Sequence, residues 1–297
     1  MNRFTLVCIV GLAANTFTNA GEPGSKQTIA YVQKLQTATG GFLPMAPRPN
    51  IRVAPNLRST SAAVRALHYL GGEIPNKKAC IKFVESCYDP TTGGFGDMPR
   101  GKPDVFLTAV GLMAVTELKM PTEKYAAGAI KFMSENAKSF EDIRIAVAGL
   151  ERLHATAPKK DQWLKDVLKP QNADGTFGNG PGMARDTGSR VVTILRLGAK
   201  VHNPESILKS LKAGQRQNGG YGKADSEIAS DLETTYRVMR CFVMLKSRPG
   251  HAEGIRSFVA KCRNPDGGYG SAPGQPSNIG GTYFASIILR WLKQQDK

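Results

Sequence analysis

The stretch Arg263–Gly270, RNPDGGYG, decides the fold because versions of it recur along the chain. The other versions, which share a polar turn, one or two glycines and a following aromatic residue, are Gln36–Phe42 (QTATGGF), Asp89–Gly96 (DPTTGGFG), Gln171–Gly178 (QNADGTFG) and Gln215–Gly222 (QRQNGGYG). Glycine adopts positive φ without a Cβ clash, so each stretch predicts a tight turn followed by a buried aromatic. Five such turns predict a repeat architecture rather than five unrelated loops.

Each turn lies between two helical stretches of different character. The stretch before the turn is amphipathic, and the stretch after it is apolar nearly all round, which predicts a buried second helix. We expect the second helices to begin at the helix-capping residues Asn56, Asp104, Asp186, Asp231 and Asn278. Helix capping explains these residues, although a ring of carboxylates at a cavity mouth is the alternative.

The pairs of helices predict an all-α fold. A third unit, EKYAAGAIKFMSEN, KSFED and IRIAVAGLERL, keeps both helices but lacks the glycines, so there are six pairs. They repeat every 40 to 50 residues or so, in the range of helical-hairpin repeats. An open array needs polar end caps, whereas the last repeat ends in Trp291-Leu292 with a short tail. The sequence therefore predicts a closed α/α toroid, a six-hairpin α/α barrel, over residues 26–295.

The first 20 residues have the pattern of a secretory signal peptide. Arg3 gives a positive start, Phe4–Ala14 is a short apolar run, and Thr18-Asn19-Ala20 ends in small residues. We expect cleavage after Ala20 and a secreted or periplasmic protein. No later apolar segment has the length of a transmembrane helix.

The chain is strongly basic, with 40 Lys and Arg against 24 Asp and Glu and a net charge of +16. A solvated basic surface explains this charge, and so does attraction to an anion such as a diphosphate, an acidic glycan or an envelope surface. Nucleic acid is not expected as a partner, because the basic residues are spread out and the chain is predicted to be exported.

Four cysteines follow the predicted signal peptide: Cys80, Cys87, Cys241 and Cys262. An oxidising compartment would permit disulfides, in any of three pairings. Cys87 and Cys262 precede their turns by the same distance, so they lie in different repeats. Cys80 and Cys87 are seven residues apart on one predicted helix, too far to bridge easily. We therefore expect buried free thiols.

Two phrases resemble a known family: FVESCYDPTTGGFGDMPRGKPDVFLT at 83–108 and FVAKCRNPDGGYGSAPGQPSNIGGTYFA at 258–285. They look like the repeats of protein prenyltransferase β-subunits, nearest in style to the geranylgeranyl transferase that acts on Rab proteins. The wider group includes the squalene and terpene cyclases. The resemblance covers about residues 26–295 and implies a toroid of six inner and six outer helices.

The resemblance also implies a zinc site, because the β-subunits hold zinc with an Asp-x-Cys and a His at the starts of inner helices. Here the Asp matches Asp231, but Glu233 stands at the Cys position and Gly281 at the His position. In the second repeat Leu107 stands at the His position. The Asp-x-Asp-Asp acid of the cyclases and the DDxxD motif are also missing. We therefore expect neither zinc, unless the site has diverged, nor another cofactor.

Arginines on the apolar inner helices are the candidate ligand-binding residues. A buried guanidinium must pair with an acceptor or face a wet cavity, and the resemblance implies a basic patch that holds a diphosphate. The candidates for such a cavity are Arg65, Arg190, Arg237, Arg240, Tyr236 and Tyr283. The alternatives are arginines that reach helix ends or solvent, and tyrosines that belong to the core.

Three functions remain open. The first is an exported toroid that lacks the family zinc ligands and binds an isoprenoid, another anionic ligand or a protein. The second is a divergent prenyl transferase or terpene cyclase acting on an isoprenoid diphosphate. The third is a glycan-active α/α barrel, which needs a pair of carboxylates across a cleft.

Overall fold

The computed structural model describes residues 23–223 and 229–296, and the predicted signal peptide lies outside these ranges. Within them the chain forms twelve α-helices and a short 3-10 helix at Gly180–Gly182. The outer helices are α1 (Pro23–Lys34), α3 (Lys77–Ser86), α5 (Glu123–Asn136), α7 (Lys160–Leu168), α9 (Pro204–Ala213) and α11 (Ala252–Lys261). The inner helices are α2 (Leu57–Leu70), α4 (Val105–Glu117), α6 (Phe140–Arg152), α8 (Met183–Arg196), α10 (Leu232–Met244) and α12 (Ile279–Gln295).

The inner helices form a closed ring. Each packs against the next in chain order, and α12 packs against α2. A backbone hydrogen bond also joins the last repeat to the first: Ile279 N donates to Pro44 O at 2.8 Å. The predicted all-α toroid is therefore confirmed.

One hydrogen bond recurs at every glycine turn. The backbone N–H of the buried aromatic donates to a threonine hydroxyl in the first turn of the following inner helix, at 2.9–3.1 Å. The pairs are Phe42–Thr60, Phe95–Thr108, Phe177–Thr187, Tyr221–Thr235 and Tyr269–Thr282. The aromatic rings are 7% exposed or less, as predicted. The bond fixes each turn to the inner helix that it precedes.

The first glycine of each turn contacts the next repeat. In the last repeat, Gly267 has φ +87°, and a Cβ there would lie 2.6 Å from Gln27 O on α1. The carbonyl of Gly267 accepts a hydrogen bond from the Thr28 hydroxyl (2.8 Å). The corresponding glycines have positive φ and lie close to the backbone of the next outer helix or of the residues just before it; they are Gly40, Gly93, Gly175 and Gly219.

Four of the five predicted caps are present. The side chains of Asn56, Asp104, Asp231 and Asn278 each accept a hydrogen bond from the backbone N–H three residues on. The prediction was wrong for Asp186, because α8 begins three residues earlier at Met183 and Asp186 lies in its first turn. Thr187, which accepts the hydrogen bond from Phe177 N, is the fifth residue of α8, whereas it would be the first residue of a helix capped by Asp186.

The third inner helix begins earlier than its apolar pattern indicated. It starts at Phe140, before the IRIAV segment, because Ser139 and Asp142 form a reciprocal capping box. Its first turn therefore carries the acidic residue Glu141.

The four described cysteines are buried and free, as predicted. Burial raises the pKa of the Cys80 thiol to about 12, and it also raises the pKa of Cys241. Such thiols pack as small apolar side chains and are poor nucleophiles. None of the described helices combines the length and apolar character needed to cross a bilayer.

Ring closure can be tested by two alanine substitutions in the last repeat. Gly267 and Gly274 both have positive φ, but a Cβ at Gly274 meets no atom within 4 Å. We expect Gly274→Ala to lower the free energy of unfolding by about 1 kcal/mol, from backbone strain alone. Gly267→Ala should lower it by about 3 kcal/mol, because α1 must also move. Urea denaturation measures both, and equal losses would contradict a tight contact between the last and first repeats.

Candidate functional site

An arginine–tyrosine cluster lies between inner helices at the ring centre. Arg65 on α2 donates from Nη1 to the Tyr283 hydroxyl on α12 at 2.8 Å, and its guanidinium lies 4.3 Å from the Tyr283 ring centroid. Arg240 donates from Nη2 to the Tyr236 hydroxyl at 3.3 Å. The two tyrosine rings lie 6.0 Å apart. Four of the six predicted site residues therefore come together.

Aromatic side chains from α2 and α12 extend the cluster. Trp291 stacks on Tyr236 with ring centroids 5.5 Å apart, and the Arg240 guanidinium lies 4.6 Å from the Trp291 ring. Phe284 packs on Tyr236 at 5.0 Å, and Tyr69 packs on Tyr283 at 6.1 Å. We call Arg65, Arg240, Tyr69, Tyr236, Tyr283, Phe284 and Trp291 the central cluster.

The central cluster carries positive charge that is not neutralised locally. In the part of the chain that the structure describes, no carboxylate forms an ion pair with Arg65 or Arg240. The Arg240 Nε atom is buried and has no hydrogen-bond partner there. Both guanidiniums instead contact aromatic faces, which stabilise a cation less than a carboxylate does.

The pKa of Tyr236 reflects this charge. Burial alone would raise the pKa, but the charges of Arg240 and Arg196 and the hydrogen bond from Arg240 outweigh it and lower the pKa below the ordinary 10.0. The pKa of Tyr283 is raised, since burial dominates there despite the charge of Arg65. Burial and the nearby Arg240 also lower the pKa of Arg196. Negative charge is therefore favoured at the Tyr236 hydroxyl but not at the Tyr283 hydroxyl.

Arg237 lies outside the central cluster, in an ion-pair network nearer the N-terminal ends of the inner helices. It donates from Nη1 and Nη2 to both oxygens of Glu141 (2.8 and 3.1 Å) and from Nη2 to Glu233 (2.7 Å). Glu141 also accepts from Arg144 Nε at 2.8 Å. The network joins α6 to α10, the two neighbours of α8 in the ring. Arg237 and Arg240, three residues apart on α10, thus have different partners.

Glu141 is held ionised by this network. Partial burial would raise its pKa, but the hydrogen bond from Arg237 and the charges of Arg144 and Arg237 lower the pKa from 4.5 to about 2. Arg237 itself is only 8% exposed, whereas Glu141 is 49% exposed. The carboxylates therefore balance Arg237 and are not available to the central cluster.

Arg190 does not join the cluster either. Its guanidinium lies 4.1 Å from the Phe140 ring, and Nη1 donates to Val167 O on the outer helix α7 (3.1 Å). Arg196 pairs through Nε with Glu151 at 3.0 Å. These two arginines reach neighbouring helices, which is the alternative that the sequence left open.

The family zinc positions have other structural roles. Both carboxylate oxygens of Asp231 bond to Thr234, through its backbone N–H and its hydroxyl (2.8 Å each). Glu233 pairs with Arg237. At Gly281 a Cβ would lie 2.6 Å from Gly270 O, so a histidine does not fit. No group of three His, Cys, Asp or Glu among the described residues could hold a metal.

Sequence reasoning missed Glu141 and Arg144. It began the third inner helix at Ile143, after Glu141, although the Ser139-x-x-Asp142 capping box was the available signal. Arg144 lay inside the predicted helix but was not singled out. Tyr69 was also missed, because a tyrosine near a helix C-terminus reads as packing until its neighbour Tyr283 is known.

The family model described as the prenyltransferase α/α toroid domain matches residues 2–74, 70–133 and 124–297. The chain belongs to the prenyltransferase α/α toroid family. Drimenyl diphosphate synthase of Streptomyces showdoensis is 29% identical over 127 residues, which cover 39% of this chain but 24% of that protein.

Two solved structures share the toroid. Protein geranylgeranyltransferase-I of Candida albicans, complexed with GGPP, has a TM-score of 0.61 at 12% identity and covers 81% of this chain and 85% of its own. A type II terpene cyclase from Scytonema also has a TM-score of 0.61, at 9% identity, with 91% of this chain and 96% of that chain covered. At these identities the likeness shows the fold alone.

The ion-pair network can be tested by Glu141→Gln. Its pKa is lowered on folding, so its contribution to stability is present above pH 4.5 and is lost as the pH falls toward 2. We expect the variant to be about 1 kcal/mol less stable at neutral pH and to approach the wild type in that acid window. Urea denaturation across pH measures this, and Glu253→Gln, in a pair whose carboxylate is 78% exposed, is the control. A constant difference at every pH would contradict the assignment.

Proposed function

We propose that the protein is an exported toroid that binds, at its ring centre, an amphiphilic ligand with an anionic head and an apolar chain. The observation that carries the proposal is the pairing of Arg65 and Arg240 with aromatic faces and phenol oxygens instead of carboxylates. Export rests on the signal-like sequence of residues 1–20.

An anion at the central cluster would supply what the two arginines lack. Guanidiniums bind phosphate and carboxylate oxygens through paired N–H donors, and the bond is stronger in a partly buried site. The surrounding rings of Tyr69, Phe284 and Trp291 offer apolar surface to a hydrocarbon chain. An isoprenoid diphosphate has both parts, and relatives named for such compounds support this ligand class.

Catalysis by the family's zinc route does not fit the residues present. Glu233 and Asp231 are committed to Arg237 and to helix capping, and Gly281 leaves no room for a ligand side chain. We therefore propose binding without zinc-dependent transfer to a thiol.

A second candidate is turnover of an isoprenoid diphosphate. Its support is the relationship to a drimenyl diphosphate synthase and a tyrosine, Tyr236, whose pKa three arginines lower against the effect of burial. A tyrosinate there could accept a proton from a bound carbocation. A glycan-active barrel is less favoured, because the hydrogen bond and charge of Arg237 and the charge of Arg144 lower the pKa of Glu141, whereas a general acid needs a raised pKa.

Ligand binding can be measured by titrating the protein with geranylgeranyl diphosphate, geranylgeraniol and inorganic diphosphate in a calorimeter. We expect the diphosphate ester to bind best, since it engages both the arginines and the aromatic rings. Arg65→Gln and Arg240→Gln should each weaken its binding about tenfold or more. Arg190→Gln, on an inner helix but outside the cluster, is the matched control and should leave binding unchanged.

The outcomes separate the candidates. Binding without loss of the ester, monitored by product extraction and mass spectrometry, supports the binding toroid. Formation of a hydrocarbon or alcohol product that disappears in Tyr236→Phe supports the enzyme. The proposed site would be overturned if none of the three compounds binds, or if Arg190→Gln loses as much affinity as Arg65→Gln and Arg240→Gln.

A further inference from the structure

Two large apolar side chains are exposed in the described part of the chain, and both lie at the same end of the toroid. Ile51 is 48% exposed and Met98 is 52% exposed. They belong to the connections that lead from outer helices into the N-termini of α2 and α4. Single exposed apolar residues are common on protein surfaces, but two in equivalent connections on one rim call for a reason.

Each apolar side chain is presented by a tight turn. Ile51 closes a turn in which its N–H donates to Arg48 O (3.1 Å), and Met98 opens a turn in which its carbonyl accepts from Gly101 N (2.8 Å). Asn50 and Arg100, one in each turn, have positive φ of 65° and 61°. These conformations are uncommon for residues other than glycine, so both turns are sharply defined.

The second turn is hydrogen-bonded to the start of α2. The Asp97 carbonyl, beside Met98, accepts from Leu57 N at 2.7 Å, and the Asp97 Oδ1 atom accepts from Arg58 N at 3.1 Å. These bonds tie the second turn to the start of α2, where the segment containing Ile51 ends. Both connections therefore lead to the end of the ring at which the neighbouring helices α2 and α4 begin.

Basic side chains lie in the same two turns or directly after them. Arg48, Arg52, Arg100 and Lys102 are exposed, and none of them forms an ion pair with a carboxylate in residues 23–223 or 229–296. We call the surface formed by Arg48, Ile51, Arg52, Met98, Arg100 and Lys102 the basic–apolar rim. It combines charged groups that remain hydrated with two apolar side chains whose burial away from water is favourable.

We propose that the basic–apolar rim binds the surface of an anionic phospholipid membrane, with Ile51 and Met98 entering the headgroup region. Interfacial binding needs this combination of shallow apolar anchors and juxtaposed Lys and Arg. A stable protein partner would need about 800 Å² of complementary surface, far more than two four-residue turns offer. This inference is independent of the ligand at the ring centre, since it uses none of the same residues.

Sedimentation of the protein with lipid vesicles tests the proposal. We expect binding to vesicles of phosphatidylcholine mixed with phosphatidylglycerol, weaker binding to pure phosphatidylcholine, and a decline as salt is raised. Replacing Arg48, Arg52, Arg100 and Lys102 by glutamine should weaken binding at least a hundredfold, at about fivefold per charge. Ile51→Ser with Met98→Ser should weaken it about tenfold and leave the salt dependence unchanged.

A charge-matched variant is the control. Lys77, Lys78, Lys159 and Lys200 lie where outer helices begin, at the opposite end of the toroid, and are exposed. Their replacement by glutamine removes the same amount of charge as the rim variant does. Because these lysines lie away from the proposed membrane contact, binding to the vesicles should fall little. Circular dichroism melts establish that every variant is folded.

Three results would overturn the proposal: no binding to anionic vesicles, equal loss in the control variant, or binding unaffected by both rim variants. A fourth would reassign the surface. If sedimentation velocity shows a dimer that Ile51→Ser with Met98→Ser dissociates, the rim contacts a second copy of the chain and not a membrane.

Discussion

The hydrogen bond from each turn aromatic to a threonine hydroxyl is the interaction on which the rest of the toroid depends. The aromatic N–H is buried, and an unsatisfied buried donor costs about 1–3 kcal/mol. The threonine that satisfies Phe42, Phe95, Tyr221 or Tyr269 also donates its own hydroxyl to the carbonyl of the residue that caps the helix. One hydroxyl thus sets the distance between a glycine turn and an inner helix. Repeated around the ring, it aligns the inner helices so that each can pack against its two neighbours.

This alignment fixes what the ring centre can contain. Side chains in the second and third turns of α2, α10 and α12 face one another, which brings Arg65, Tyr236, Arg240 and Tyr283 together. Arginines so placed are costly unless they are compensated. Arg237, which lies outside the central cluster, is compensated by ion pairs with Glu141 and Glu233. Arg65 and Arg240 contact aromatic faces and phenol oxygens instead. Their positive charge is not neutralised by any carboxylate that the structure describes, and it contributes to the lowered pKa of Tyr236.

The repeat pattern was readable from the sequence because glycine turns and helix caps are local signals. RNPDGGYG and its relatives predicted the turns, and Asn56, Asp104, Asp231 and Asn278 cap their helices as expected. The cap at Asp186 was inferred from residue type alone and was wrong, because Asp186 lies inside the first turn of α8. The helix begins at Met183, with Gly182 and not Asp186 at its N-cap.

The site was less readable, because a side chain's partner on another helix is not a local signal. Apolar surroundings correctly marked Arg65 and Arg240 as unusual. The same argument applied to Arg190, which reaches an outer helix, and to Arg237, whose partner Glu141 is 96 residues away. The identity of those partners depends on which helices adjoin in the ring. Residue type and spacing could select candidates, but only the ring geometry separates a paired arginine from an unpaired one.

The ionisation of Tyr236 tests most directly whether the ring centre carries uncompensated positive charge. The near-ultraviolet absorbance of tyrosinate can be followed as a function of pH for the wild type. Subtracting the titration curve of Tyr236→Phe isolates the contribution of this residue. One phenol should ionise below the ordinary pKa of 10.0, vanish in Tyr236→Phe, and shift upward in Arg240→Gln. If every tyrosine of the wild type ionises at or above that value, the field at the centre is neutralised and the account of the central cluster is wrong.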